Sequence, residues 1–445
     1  MNFFNTTALA LCGAMVVGAC SLMSKPFDPQ KLDTYFDAID GHFMGSVEMQ
    51  KDGETIYKRS LGYADLEDSI PTTADTHYRV GSISKTFTSL MILMAVRDGK
   101  LSLDDHLDKF FPDAQIPNAE KITIDQILYH RSGIHNIVTE ECGFQYWYNQ
   151  PQTEAQMVER IAQAGSDFEP GEQMTYSNSG YMLLAYILEH LHGKTYGELV
   201  DELIVRPLGL TNTFNARAID PTHGDARSYD PIGGWQLCPD SDPSAIIGAG
   251  SVVSTPSDLI KFHRALRDGF FGEGIYEQMS EKIDGWGRGM CRFFYMLSEG
   301  MGHNGGIDGF RAVFCNIGNT DFAICSNAID VDINASVLTT MMHAAAGTDY
   351  TIPEFGTPAT FDSLLIKPFT GTYTSEQLKL DIEITNDSNM LCGQATGQGK
   401  FPLQGLTDTS FVCYQANIKI KFDTANNKLT LYQNGGEYEF VRKDN

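Results

Sequence analysis

The spacing of hydrophobic and polar positions changes several times along the chain, and each spacing predicts an element. Gly45–Met49 and Thr55–Gly62 flank Lys51-Asp52-Gly53, the signature of a β-hairpin with a glycine-containing turn. From Ser82 to about Arg97 the apolar positions, among them Ile83, Phe87, Leu90, Met91 and Leu93, cover most of a helical circumference. That pattern predicts a buried helix, and Gly99 is placed to cap its C-terminus. Tyr181–His192 reads as a helix stopped by Gly193. Ser257 reads as the N-cap of another, with Asp258 at its positive end. Phe310–Asn316 and Asp321–Asn327 predict a second hairpin about Gly318-Asn319, followed by a helix from about Ile333 to Ala346. Strands at both ends with helices between predict one sheet assembled from the two ends of the unit.

Beyond residue 366 the period switches to two. Leu378, Leu380, Ile382 and Ile384 alternate with Lys379, Asp381, Glu383 and Thr385, and Ile418, Ile420 and Phe422 alternate with Lys419 and Lys421. Leu429 and Leu431, then Tyr438 and Phe440, flank an Asn434-Gly435-Gly436 turn. These are half-buried antiparallel strands. Residues 347–365, with two prolines and two glycines, read as a linker. The expected fold is thus α+β over residues 20–346, followed by a small all-β, barrel-like antiparallel domain over 366–445.

The 445 residues are 42% hydrophobic, which excludes a disordered or collagen-like chain. Lys and Arg number 32 against 57 Asp and Glu, a net charge of 32 − 57 = −25. Nucleic acid is therefore excluded as a partner, since its phosphates need cationic neutralisation. Residues 366–445 hold 8 Lys/Arg and 9 Asp/Glu, a net of −1, so −24 lies in residues 1–365.

Residues 1–19 read as an export signal, with an apolar run from Ala8 to Ala19 too short to span a bilayer. Val17-Gly18-Ala19-Cys20 resembles a bacterial lipobox, although no Lys or Arg precedes it. The expectation is an exported, periplasmic or cell-surface protein. Its only membrane attachment would be a lipid on Cys20. Seven cysteines follow Cys20, with no CxxC pair, so neither a metal site nor a dense disulfide framework is expected.

Three short segments carry candidate chemistry. Ser82-Ile83-Ser84-Lys85 opens the buried helix, and residues three apart share a helical face. A serine hydroxyl needs a neighbour to take its proton, and a buried lysine can serve as that base. The bland alternative makes Ser82 an N-cap and Lys85 a surface lysine. Tyr176-Ser177-Asn178 follows a Glu169-Pro170-Gly171 turn. A phenol can relay a proton, and an Asn can accept from Lys85 while donating to a substrate carbonyl. His303-Asn304-Gly305-Gly306 leads into a strand. There a histidine can touch substrate while the glycines admit its backbone. His190-Leu191-His192 reads as a helix end rather than a metal site.

The joint order of Ser-x-x-Lys, Tyr-x-Asn and His-x-Gly resembles the penicillin-recognising serine hydrolases, which include class C β-lactamases, D-Ala-D-Ala carboxypeptidases and related esterases. Leu128–Ile134, Pro207-Leu208-Gly209-Leu210, Gly248–Ser254, Gly285-Trp286-Gly287 and Gly302–Phe310 match as well, as collateral segments. The resemblance covers residues 30–346 and implies an antiparallel sheet flanked by helices, with a helical lobe. The tail resembles a lipocalin-like β domain. The resemblance also implies that Ser82 is acylated, that Lys85 and Tyr176 share base duty in an unsettled division, and that Asn178, His303 and Gly305 orient substrate. The backbone N–H groups of Ser82 and Gly306 would form the oxyanion hole. Neither metal nor organic cofactor is implied. The implied partners are small ester, amide or peptide substrates, with β-lactam acylation possible.

One position departs from that pattern. His303 stands where class C β-lactamases carry a lysine, and an unperturbed histidine is mostly neutral at pH 7. Weaker carboxylate binding follows, which favours an esterase or peptidase over an efficient β-lactamase or D-Ala-D-Ala carboxypeptidase. A non-catalytic receptor for cell-wall fragments is the alternative from another class.

Overall fold

The structure, a computed structural model, describes residues 25–231, 234–353, 355, 367–387, 390–398, 400–416, 418–433 and 436–443. The expected signal, Cys12 and Cys20, most of the linker and the Asn434-Gly435 turn lie outside them. The described residues fall into two compact units. One comprises residues 40–231 and 235–329, and the other joins the residues before Asp40 to those from Asp330 onward.

The first unit is built on an antiparallel sheet of β1 (Phe43–Lys51), β2 (Glu54–Leu61), β3 (Cys291–Tyr295), β4 (Ser298–Ile307), β5 (Phe310–Ile317) and β6 (Thr320–Ile329). Their order is β3-β4-β5-β6-β1-β2, so strands from both ends of the unit share one sheet, as the pattern predicted. Every residue of β6 is buried, in keeping with its central place. β1 and β2 join through Asp52 and Gly53, both at positive φ (49° and 91°). That twist suits a two-residue hairpin between right-twisted strands.

Two helices of this unit, α2 (Ser84–Arg97) and α3 (Asn178–His192), pack together in one large apolar core. (α1, Pro29–Ala38, belongs to the second unit.) A fourth helix, α4 (Pro256–Arg267), adds Phe262, which stacks on Phe87 at 4.1 Å between ring centroids. Gly99 and Gly193, at φ 69° and 63°, end α2 and α3 as expected.

Two local readings are corrected. The buried helix begins at Ser84 rather than Ser82, which lies within a tight turn, Gly81–Ile83, that precedes α2, so the alternative of Ser82 as N-cap also falls. The N-cap of α4 is Thr255 rather than Ser257, because Pro256 fills the first helical position and the Thr255 hydroxyl accepts from the Asp258 N–H.

In the second unit α5 (Thr339–Ala346) continues a wider first turn that begins at Ile333 and is capped by Asp332. The Tyr35 hydroxyl of α1 meets the Ser336 hydroxyl at 2.9 Å. The tail forms a closed barrel of β7 (Gly371–Ser375), β8 (Leu380–Asp387), β9 (Met390–Ala395), β10 (Lys400–Thr407), β11 (Ser410–Cys413), β12 (Ile418–Asp423), β13 (Lys428–Gln433) and β14 (Gly436–Arg442). β8 begins at Leu380 rather than Leu378, since Lys379 turns at φ 52°. Eight strands leave an interior about wide enough for side chains alone. Here that interior holds Phe369, Phe411 and Phe422, with ring centroids 4.7–5.6 Å apart, and Ile382, Ile420 and Phe440 around them.

Candidate active site

The site begins at a backbone turn. Gly81 has φ 51°, and a Cβ there would lie 2.8 Å from the Gly306 backbone nitrogen. Only glycine fits on both counts. The Ser84 hydroxyl donates to the Gly81 carbonyl (2.7 Å) and accepts the Val252 N–H (2.9 Å), which pins the turn to its neighbour strand. Ser82 keeps part of its side chain exposed, while Ile83 and Ser84 on either side of α2's start are buried.

Lys85 projects from the first turn of α2 and is wholly buried. Its Nζ lies 3.1 Å from the Ser82 Oγ, 2.7 Å from the Asn178 Oδ1 and 2.7 Å from the Ala249 carbonyl. None of these is a carboxylate. Burial accordingly pulls the Lys85 pKa well below that of a free lysine. Two carbonyl-type oxygens match the two N–H bonds of a neutral amine, and its lone pair is then left for the Ser82 hydroxyl.

Tyr176 brings its phenol against Ser82, and Lys85 Nζ lies 4.9 Å from its ring centroid. Part of the ring is exposed, but the hydroxyl end is enclosed. Burial raises its pKa above that of a free tyrosine, and the contact with Ser82 opposes this more weakly. The phenol is therefore protonated at neutral pH. Asn178, at the start of α3, accepts from Lys85 at its Oδ1 and donates from its Nδ2 to the Asn136 Oδ1 (3.1 Å), so its amide orientation is set.

The opposite wall is β4. A Cβ on Gly305 would lie 1.9 Å from the Val80 carbonyl and 3.0 Å from the Ser82 nitrogen, so strand and turn meet with no side chain between. Along an antiparallel strand the N–H groups of residues two apart share an edge. The Asn304 N–H bonds the Cys291 thiol on the outer edge. Gly306 thus presents its N–H along that same edge, beside the Ser82 turn.

His303 is 1% exposed, and its Nδ1 donates to the Asn304 carbonyl (2.5 Å). Burial first, and the charge of Lys85 second, lower its pKa to about 4. It is neutral at pH 7 by a wider margin than its residue type implied.

Sequence reasoning assigned His130 to a merely collateral segment, yet it braces Tyr176 from three directions. Its carbonyl accepts the Thr175 N–H (2.9 Å), its Nδ1 accepts the Ser177 N–H (3.2 Å), and its ring packs against Tyr176 at 4.3 Å between centroids with a 33° tilt. His130 sits at φ 57°, a conformation uncommon outside glycine. Asn136, which orients Asn178, carried no sequence signal. His190 pairs with Glu154 at 2.8 Å, and no cluster of metal-ligating side chains occurs among the described residues.

A serine and a lysine one turn apart at the head of a buried helix, facing a glycine-lined sheet edge, define a β-lactamase-like serine hydrolase. The chain belongs to the Beta-lactamase family, whose sequence profile matches residues 36–343. It is 26% identical to a penicillin-binding protein of Bacillus subtilis (strain 168), an alignment that takes in 92% of this chain and 98% of the relative. The D-amino acid amidase from Ochrobactrum anthropi SV3, in complex with D-phenylalanine, superposes with a TM-score of 0.63 at 26% identity, covering 71% of this chain and 98% of that one. A penicillin-binding protein homologue from Pyrococcus abyssi, 22% identical with a TM-score of 0.64, shares the fold over 93% of this chain and 98% of its own.

Proposed function

We propose that this protein hydrolyses small amides, peptides or esters through an acyl-enzyme on Ser82. The observation that carries the reading is the set of partners around Lys85 Nζ: two neutral oxygens and the Ser82 hydroxyl, in full burial. Neutral Lys85 takes the Ser82 proton as Oγ attacks the acyl carbon. The N–H groups of Ser82 and Gly306 receive the oxyanion. The protonated Tyr176 phenol lies where it can pass a proton to the leaving group. Lys85 then returns its proton to the Tyr176 phenolate, and water repeats the sequence on the acyl-enzyme: Lys85 takes the water proton, Tyr176 protonates the departing Ser82 oxygen, the acid is freed, and the same return from Lys85 to Tyr176 closes the cycle.

Neutral His303 supplies no positive charge for a substrate carboxylate. This supports uncharged amides and esters over substrates ending in a carboxylate, and the similarity to a D-amino acid amidase points the same way. The test is Ser82→Ala. Turnover of a chromogenic acetyl ester and labelling by a fluorophosphonate should both vanish, and undiminished turnover would overturn the assignment. Export with a lipid on Cys20 extends the proposal on residues 1–20 alone. Palmitate incorporation that persists in Cys20→Ser would refute it.

A further inference from the structure

Trp286 has no part in the proton transfers, yet it stands against Tyr176, which takes part in them, and against both buried histidines of the site. Its indole centroid lies 5.7 Å from the Tyr176 ring, 5.7 Å from His130 and 6.1 Å from His303. Unlike the two histidines, it stays partly exposed.

The backbone around it is built to hold it there. Ile283 and Trp286 exchange both backbone hydrogen bonds (2.9 and 3.0 Å), which closes a small loop. Asp284 in that loop pairs with Arg131. The Tyr129 hydroxyl donates to the Glu281 carbonyl at 3.1 Å. A Cβ on Gly287 would fall 2.1 Å from the Met279 carbonyl, so the chain leaving Trp286 lies directly on its support. A large aromatic side chain held by its own backbone and left partly open beside Tyr176, whose phenol meets Ser82, is a ready-made contact surface for substrate.

We propose that Trp286 is a specificity-determining residue, and that the substrates have a flat apolar group, aromatic in the best case, next to the scissile bond. This inference rests on the acyl-hydrolase reading. The indole offers an apolar face and quadrupole to stack on, and the neighbouring neutral imidazole of His303 adds no charge that such a group must avoid.

The test compares wild type, Trp286→Ala and Trp286→Phe on three esters, ethyl acetate being common to both pairs. Phenylacetyl and acetyl ethyl esters differ only in the acyl group, and phenyl and ethyl acetates differ only in the leaving group. In Trp286→Ala, kcat/KM should fall at least tenfold for the ring-bearing member of one pair and less than threefold for ethyl acetate. Trp286→Phe should stay within threefold of wild type throughout. An equal loss on all three esters would show that Trp286 acts only through Tyr176, and no loss on any would remove it from substrate contact. Either result overturns the inference. Ser82→Ala run beside them separates the readings, because residual turnover in that variant refutes the acyl-enzyme itself. Thermal melts of each variant confirm that folded protein is compared.

Discussion

Arg79 and Asp308 meet at 3.3 Å with their side chains only 4% and 3% exposed. Arg79 stands three residues before Ser82, and Asp308 two residues after Gly306. Both also bind one residue: the Ser241 carbonyl accepts from Arg79 (2.6 Å), and the Ser241 N–H and hydroxyl donate to Asp308 (3.2 and 2.5 Å). The two segments that offer backbone N–H groups to the site are thus tied by one buried ion pair. Removing one partner of such a pair leaves an uncompensated charge, so Asp308→Ala should lose about 3–5 kcal/mol in urea unfolding. Asp308→Asn should lose less stability yet still lower kcat. An unaltered kcat in that variant would show that the pair does not align the donors.

The pH profile follows from Lys85. Its pKa lies well below the free-lysine value, so it is neutral above that depressed pKa and can accept the Ser82 proton. As pH falls through it, Lys85 gains a proton, its lone pair is lost and the rate drops. The profile of kcat/KM should therefore rise on a limb far below pH 10 and then run flat. A limb centred near the free-lysine pKa of about 10.4 would contradict the lysine base.

Burial of neutral His303 has a thermodynamic counterpart. Its pKa is about 4 in the folded chain and about 6.5 when unfolded. The unfolded state therefore binds more protons over that window, and stability falls as pH drops from 6.5 towards 4. At 1.36 kcal/mol per unit, the loss from this residue approaches about 3 kcal/mol. Urea unfolding at pH 7 and pH 4 should show a smaller acid loss in His303→Asn than in wild type. Equal losses would place the acid sensitivity elsewhere.

His130→Ala removes the ring under Tyr176 and the acceptor of the Ser177 N–H together. Misplacing a reacting group by about 1 Å costs up to about 100-fold, so kcat should fall roughly 10- to 100-fold with little change in KM. His130→Phe keeps the packing surface and should recover part of the loss. No recovery would mean that the Nδ1 bond matters more than the ring contact.

Much of this was legible because the signals were local. The apolar circumference of Ile83–Ala95 foretold a buried helix, and the alternation of Ile418, Ile420 and Phe422 foretold inward-facing strand positions. Glycines placed both helix ends correctly, since a left-handed residue there is a local requirement. Capping was less secure. Ser257 has the right side chain, but Pro256 shifts the helix start two residues earlier and hands the cap to Thr255. Ser82 could not be distinguished from an N-cap because the tight turn that holds it depends on contacts with Val252 and Gly306, far away in sequence.

The sequence by itself determined the order of elements, the joining of both ends of the first unit in one sheet and the spacing that puts Lys85 one turn from Ser82. Side-chain periodicity and turn chemistry are properties of neighbouring residues, so they survive without a third dimension. Only the tertiary structure decided the protonation states. The pKa of Lys85 falls well below that of a free lysine because packing removes water, and carbonyl oxygens rather than a carboxylate stand around its Nζ. His303 is neutral for the same reason, and Tyr176 is held by His130 from 46 residues before it in the chain. Desolvation and long-range contacts exist only once the chain has closed on itself, and at this site they bring a fully buried lysine against the hydroxyl of Ser82.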